Sequence, residues 1–427
     1  MNIISKEKID QRIADFKILD EDIEQIHIDL PKRYNFNQWE SNIWKSYLFH
    51  FFMGLHLISG VLLPFFLTWG RLTFIEVMFL QSYFTLMILI FEIPCGAIAD
   101  YISRKFSLIL GALITALAAL IYGSYPNIII FTIGETLWAF ASALTSGTDQ
   151  AFIYDTLRML EREDDITKVM AKNRSFLLLG IAIAAPIGSI IGAYVSLNLV
   201  MTLMVVPFFI ATLISITLRE PNHDLEKKKS ESYLTIIKSG FYQLKKSRIL
   251  IILSFELILT DVAVFFLIWL YQLYLEALQL QLIFFGFISA SITLIQIILN
   301  NVVIKLEKKY NNKKRFLQCY SIIPGIGFVL MSMIYFIPVS IPLILIVIGF
   351  GFSRSLLFTK GINKRIETQN RATVISTINM ISSLIRAIIY PFIGYFGMLN
   401  LNITFLFLGT MIIMFALFSR IKTEYLE

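Results

Sequence analysis

The sequence has few charged side chains and almost no cysteine or histidine. Charged residues fill 16% of the 427 positions, whereas an ordinary soluble domain has about 25%. The two cysteines, Cys95 and Cys319, lie in or beside apolar stretches, and with only four histidines they give neither a disulfide framework nor a metal-binding spacing. There is also no nucleotide-binding P-loop and no nucleophile triad. These absences argue against an enzyme and an ATP-driven pump, and they predict no cofactor and no metal.

Long apolar runs dominate what is present. Apolar residues make up 57% of the chain, and the mean hydropathy is +0.72. Each run approaches the roughly 20 residues that a helix needs to cross the hydrocarbon core of a bilayer. We therefore predict an all-α membrane protein with twelve transmembrane helices, at residues 46–69, 75–99, 106–124, 128–153, 175–196, 198–218, 249–273, 282–304, 316–336, 341–360, 372–396 and 401–419.

The basic residues fall almost entirely in alternate connections between these runs. All of the 37 Lys and Arg residues except Arg71, Arg354 and Arg386 belong to the N-terminal arm, the even-numbered loops or the C-terminal tail. This positive-inside pattern places both termini in the cytoplasm and predicts a multi-pass protein of the cell membrane. The net charge of +7 is spread over loops rather than along one face, so we expect no nucleic-acid partner.

The chain divides into two similar halves. The charged loop after the fourth run of each half ends in Asn-Arg, at Asn173–Arg174 and Asn370–Arg371, and each fifth run has a proline followed closely by glycine. Such a duplication is typical of secondary transporters. We predict two six-helix bundles and three cytoplasmic pieces, namely an N-terminal arm (1–45), the first bundle (46–218), a linker (219–248), the second bundle (249–419) and a tail (420–427).

The N-terminal arm has its own pattern. Ile9, Ile13, Phe16, Ile23 and Ile26 recur at helical spacing, which predicts a helix on the cytoplasmic face of the protein or membrane. A solvated extension explains the same residues equally well.

The stretch from Gly96 to Lys105 resembles the signature loop of the major facilitator superfamily, whose pattern is Gly-x-x-x-Asp-basic-x-Gly-Arg-basic. Tyr101 and Ser103 depart from that pattern. The resemblance covers all twelve runs and implies a latch between the halves on the cytoplasmic side. In it, Gly96 lets a neighbouring helix approach closely and Asp100 pairs with Arg104 or a helix N-terminus. The alternative is a plain turn with a helix cap.

Two further elements resemble parts of the same family. Asp155 is followed seven residues later by Arg162, like the acid-x6-Arg element that some members carry, and the two share a helix face. Their role is then a state-dependent charge network, or else a solvated helix end in which Arg158 is also in reach. Ala185–Gly188, with Pro186 inside it, loosely resembles an element of antiporters and favours efflux.

Ionisable side chains at membrane depth are costly and therefore candidates for function. Glu135 lies well inside the fourth run, where many drug antiporters of this family carry arginine. An acid there can carry a proton, bind a cationic substrate or form a structural pair. Arg386 is its natural opposite charge in the second half, so we predict a pair across a central cavity. Asp261 is the deeper acid of the seventh run, and Glu92 precedes Pro94.

Three other side chains complete the candidate site. His56 can titrate near neutral pH, although a lone histidine is more often a structural hydrogen-bonding group. Trp138 and Gln272, with Trp269 and Tyr271, are candidates to line an aromatic and polar cavity, or else to pack within the bundles.

Together these features predict a monomeric, ion-coupled secondary transporter that moves a small organic solute across the bilayer by alternating access. The coupling ion is expected to be a proton and the direction export. Uptake by symport or uniport on the same fold is the first alternative. A non-transporting membrane receptor or assembly partner that uses the N-terminal arm is the second.

Overall fold

The computed structural model describes residues 36–221, 233–366 and 371–426. The described residues form helices and connecting loops, with no strand among them. The predicted helix of the N-terminal arm (Ile9 to Ile26), the lysines 227–229 and Asn370 lie outside the described residues.

Among the described residues, twelve helices cross the membrane. The first, α1, begins as Phe36–Met53 and continues through three short turns, Leu57–Gly60, Leu62–Pro64 and Phe65–Trp69. The others are α2 (Phe74–Tyr101), α3 (Arg104–Tyr122), α4 (Ile128–Met159), α5 (Ile166–Tyr194), α6 (Leu197–Ile216), α7 (Arg248–Ala277), α8 (Ile283–Lys309), α9 (Lys313–Met331), α10 (Ile337–Lys364), α11 (Arg371–Leu399) and α12 (Leu401–Leu417). A further helix, Tyr233–Lys246, precedes α7 and is called the linker helix.

Within the described residues, nine of these helices pass a test of length and hydropathy for membrane crossing. The other three helices do not pass this test. Helix α1 is broken, α9 begins with three basic residues, and α12 is short. We call the side where α2 ends and α3 begins the basic face, because the Lys- and Arg-rich connections lie there. The other side is called the opposite face.

Several helices extend beyond the predicted runs at the basic face. Helix α1 begins at Phe36 rather than at residue 46, and α5 begins at Ile166 rather than at 175. The added turn of α1 is amphipathic, since Trp39, Asn42 and Ile43 are buried while Glu40 is exposed. A test for continuous hydrophobicity misses such a segment, because only one face of it is apolar.

Equivalent contacts recur in the two halves. Asn42 of α1 bonds both the N–H (3.0 Å) and the carbonyl (2.9 Å) of Arg219, just after α6. Glu256 of α7 accepts the N–H of Arg420, just after α12, at 3.0 Å. A polar side chain thus joins the first helix of each bundle to the end of its last helix, as expected for an internal duplication.

Small residues let α1 and α5 pack backbone against backbone. A Cβ at Gly188 would overlap the carbonyl of Leu57, and one at Gly54 would overlap that of Leu177. Ser46 also donates a hydrogen bond to Asn173 at 3.0 Å. Because lipid tails give little hydrophobic drive between helices, such close approach supplies much of the packing energy in a membrane bundle.

An apolar groove of about 760 Å³ runs between the linker helix, α7, α11 and α12. Phe255, Phe392 and Phe407 line it, and each is more than half exposed. Since lipid is the medium that covers such side chains in a membrane protein, the groove faces the bilayer and is separate from the polar cavity described below.

The two bundles meet near the opposite face. Gly60 of α1 lies against Gly286 of α8, and Ser189 of α5 donates a hydrogen bond to the carbonyl of Ile283 at 2.8 Å. Gly394 of α11 lies against Ile75 of α2. Each of these residues is close to the end of its helix at that face, so the molecule is closed there.

Candidate transport cavity

A polar cavity of about 720 Å³ lies between the bundles, with walls from α2, α4, α7 and α11. Gln81 and Tyr390 stand at one end of it, and Glu92 and Ile375 line it nearer the basic ends of α2 and α11. Apart from Arg386, its other polar wall residues are mainly hydroxyls and amides, namely Thr85, Ser146, Gln150, Ser376, Asn379 and Ser383. This lining suits a hydrogen-bonding organic solute.

The cavity is closed toward the opposite face and open toward the basic face. Ser82 of α2 donates a hydrogen bond to the carbonyl of Ala387 in α11 at 2.6 Å, and Thr85 bonds Tyr390. Ten residues separate Ser82 from Glu92, so Glu92 lies about 15 Å closer to the basic face at the helical rise of 1.5 Å per residue. Beyond Glu92, a Cβ added at Gly96 would meet only open space. The structure is therefore an inward-open state if the basic face is the cytoplasmic one.

Glu135 lies directly behind the cavity wall rather than in it. Its carboxyl is buried and accepts hydrogen bonds from Gln81 Nε2 at 2.7 Å and from Tyr122. Gln81 itself lines the cavity, so one amide side chain separates the acid from the solute space.

The predicted pair between Glu135 and Arg386 is not formed. Arg386 lines the cavity but lies 3.8 Å from Asp261 of its own bundle, and it donates to Ser383 at 2.9 Å. Its guanidinium also stacks 4.9 Å from the ring centre of Phe265. The two side chains do not meet, because the rotation of α4 about its axis turns Glu135 toward α2 and α3.

Arg354 is a second arginine that interacts with Asp261, and unlike Arg386 it is buried. The residue is only 4% exposed, and its guanidinium stacks 4.5 Å from the ring centre of Phe358. It interacts electrostatically with both Glu256 and Asp261, and its Nε has no hydrogen-bond partner among the described residues.

The aromatic candidates separate into two groups. Trp269 lines the cavity, together with Tyr390, which the sequence did not suggest. Trp138 does not, because it packs inside the first bundle with His56 and Phe208 at ring-centre distances of 5.7 and 5.8 Å. His56 therefore packs among aromatic side chains and does not line the cavity.

Gln272 was also predicted to line the cavity, but it is not among the residues that do so. Its Oε1 accepts the N–H of Leu63 at 2.9 Å, and its Nε2 donates to the carbonyl of Ser59 at 3.2 Å. These are backbone groups of the broken part of α1, so Gln272 satisfies that break and joins the bundles at the opposite face.

The signature loop forms a charge network, with partners different from the predicted ones. Arg104 pairs with Asp155 of α4, not with Asp100, and also donates to the carbonyl of Ala151 at 2.8 Å. Asp100 is exposed, and Gly96 contacts no neighbouring helix in this state. The expected close approach at Gly96 is absent because the cavity is open on this side.

Arg162 pairs with Asp165 at 2.7 Å and with Glu40 at 2.9 Å, not with Asp155. Hydrogen bonds from Asp165 and Glu40 raise the pKa of the Arg162 guanidinium above its ordinary value. This cluster is largely exposed, so it contributes little to stability.

Glu220, after α6, is a residue that sequence reasoning missed. Its carboxylate accepts the N–H groups of Arg104 at 2.9 Å and Lys105 at 2.7 Å, together with the hydroxyl of Ser103. It therefore caps the N-terminus of α3, where negative charge is favourable. A glutamate just past the last apolar residue of α6 gives no sequence signal for this long-range contact.

We expect Glu220→Gln to lower the stability of the first bundle by about 2 kcal/mol, because hydrogen bonds to a charged group are worth about 1.5–3 kcal/mol. A lower melting temperature of the purified variant checks this. Glu163→Gln is the matched control, since Glu163 is exposed. Equal melting temperatures of the two variants would contradict the capping role.

His50 and Asp149 form a pair that the sequence did not predict. His50 Nδ1 donates to the carbonyl of Ser46 at 2.8 Å, and Nε2 lies 3.2 Å from the Asp149 carboxylate. Asp149 stands next to a break in α4 at Gly147, which has a φ of 73°. The pair ties this break to α1, directly behind Ser146 and Gln150 of the cavity wall.

Residues 46–390 match the family model of the Major Facilitator Superfamily. The chain belongs to that superfamily. It is a multi-pass membrane transporter rather than an enzyme, with a small-molecule substrate.

Solved structures of superfamily transporters share this fold at low sequence identity. The nucleoside transporter NupG has a TM-score of 0.70 at 16% identity, covering 89% of this chain and 98% of that one. The D-xylose–proton symporter has a TM-score of 0.69 at 12% identity, covering 91% and 99%. A bacterial homologue of the human lysosomal transporter Spinster, in an inward-facing and unoccupied conformation, has a TM-score of 0.67 at 14% identity, covering 92% and 97%. No curated protein sequence matches the chain.

Proposed function

We propose that this chain is a monomeric, proton-coupled exporter of a small organic solute in the cell membrane. The observation that carries the proposal is the cavity between the bundles, which is open toward one face and has the buried acid Glu135 one side chain behind its wall. Alternating access follows if the bundles, assigned to residues 46–218 and 249–419, rock about this cavity.

The positive-inside rule supports a cytoplasmic basic face and cytoplasmic termini. In that orientation the present state is inward-open, and a solute from the cytoplasm can enter past Glu92 and reach Gln81 and Tyr390. An exporter loads its solute in this state.

Glu135 is the first candidate for the proton carrier. The ionised carboxylate suits the two donors it now has, Gln81 and Tyr122. Protonation adds a donor to the carboxyl and requires one of these hydrogen bonds to rearrange. Because Gln81 lines the cavity, such a rearrangement changes the surface that the solute contacts. Asp261, paired with Arg386, is the second candidate.

The signature loop has a proposed role in the other state. When the basic face closes, the ends of α2 and α11 approach each other, and Gly96 then gives room for a close contact near Asp100. Arg104 and Asp155, already paired, hold the loop in place for that closure.

The test is proton movement coupled to solute movement in proteoliposomes that contain a pH-sensitive dye. For an exporter working as an antiporter, solute entering the vesicles drives protons out. Protons that move in with the solute would instead show uptake by symport, and solute flux without proton movement would show uniport. No flux at all would favour the non-transporting receptor.

A further inference from the structure

We propose that the transported solute is an aromatic organic acid whose carboxylate binds Arg386 at the closed end of the cavity. This inference rests on the proposed function and names the substrate class of the same site. It comes from an excess of hydrogen-bond donors over acceptors around two arginines, Arg354 and Arg386.

Arg386 has five N–H donors, but its hydrogen bond to Ser383 at 2.9 Å uses one. The nearest Asp261 oxygen is 3.8 Å from Nη1, which is beyond hydrogen-bonding distance. Water can satisfy the remaining donors while the cavity is open. A solute that displaces this water must bring its own acceptors, since unpaired buried donors are costly. A carboxylate matches a guanidinium with two parallel hydrogen bonds.

Asp261 does not neutralise this site alone. It interacts electrostatically with both Arg386 and Arg354, and Arg354 also interacts with Glu256. Glu256, the other acid near Arg354, is bound by Ser419 at 2.7 Å and by the N–H of Arg420 at 3.0 Å. A solute carboxylate on Arg386 would leave Asp261 to pair with Arg354, whose Nε lacks a hydrogen-bond partner among the described residues.

The position of Arg386 also favours a solute that carries a carboxylate. It is next to Ala387, whose carbonyl accepts from Ser82, so it stands at the closed end. The acid Glu92 of the cavity wall lies about 15 Å nearer the basic face than Ser82 by the helical rise. Glu92 is therefore remote from the closed end, where Arg386 attracts an anion.

The aromatic part of the solute follows from the neighbouring wall. Trp269 and Tyr390 line the cavity around Arg386, and Phe265 already stacks on its guanidinium. Planar rings pack well against such side chains.

The experiment compares matched acids and amides by thermal shift and equilibrium binding to the purified full chain. The probes are benzoate with benzamide, nicotinate with nicotinamide, and indole-3-acetate with indole-3-acetamide. We expect at least one acid to bind at least ten-fold more tightly than its amide. Arg386→Gln should weaken acid binding at least ten-fold without changing amide binding, whereas Asp261→Asn should strengthen acid binding. Arg248→Gln, at an exposed position, is the matched control.

The proposal is overturned if no acid binds, if amides bind as well as acids, or if Arg386→Gln keeps the preference. An unliganded melting temperature of Arg386→Gln equal to that of the wild type shows that the variant is folded. Acid binding through Arg386 without solute flux would support this binding site and contradict the transport proposal. Flux of neutral or cationic solutes alone would support transport and contradict an acidic substrate.

Discussion

Replacing Gly286 by valine is expected to reduce solute transport at least ten-fold. A Cβ at Gly286 would overlap the carbonyl of Ala185 and the hydroxyl of Ser189, and Gly60 presses on the same residue from α1. The bundles touch there through backbone atoms. A valine side chain therefore forces them apart at the opposite face, and the present state, which is open toward the basic face, loses its closed side.

Accessibility labelling checks this prediction. In a background without Cys95 and Cys319, a cysteine at position 59 should react with an impermeant maleimide from the opposite face in Gly286→Val, but not when Gly286 is intact. Ala193→Val, at an exposed position of α5 near the opposite face, is the control for folding and for labelling at position 59. Transport by Gly286→Val at the wild-type rate would show that the bundles do not close at this contact.

Glu135→Gln is expected to abolish solute accumulation driven by a pH gradient, while solute exchange at equal pH on both sides continues. Glutamine keeps the size of the side chain and an oxygen acceptor for Gln81 or Tyr122, but it cannot carry a proton. The measurement is accumulation of the transported solute in proteoliposomes with and without the gradient.

Glu276→Gln is the matched control, since Glu276 is exposed at the end of α7 near the opposite face. Asp261→Asn identifies which acid couples: full accumulation in Glu135→Gln with loss in Asp261→Asn would assign the proton to Asp261. Full accumulation in both variants would remove proton coupling through either acid.

The fold follows from the sequence because its determinants are local. Twelve apolar runs and an alternating charge pattern suffice for twelve crossings and two bundles. The prediction fails at helix ends such as Phe36, where an amphipathic turn continues α1 beyond the hydrocarbon core. Here burial depends on contacts with distant residues, for example Arg219, which no local pattern encodes.

The candidate site was predictable only in part: Arg386 and Glu92 line the cavity, whereas Trp138 and Gln272 lie elsewhere. The pairings were not predictable. Arg104 and Asp155 were both identified, yet their pairing depends on how α3 lies against α4. One residue of helix advance rotates a side chain by about 100°, so depth alone could not show that Glu135 faces Gln81 while Arg386 faces the cavity. Glu220 and His50 were missed because their partners are far away in sequence.

The most direct test of the two-bundle account is a pair of spin-label distances in nanodiscs. One pair joins positions 101 and 309, at the basic ends of α2 and α8, and the other joins positions 194 and 399, at the opposite ends of α5 and α11. On adding a transported solute and changing the pH, we expect the first distance to shorten while the second lengthens, and a pair within one bundle (101 and 158) to stay constant. Two distances that remain fixed, or that change in the same direction, would contradict alternating access about this cavity.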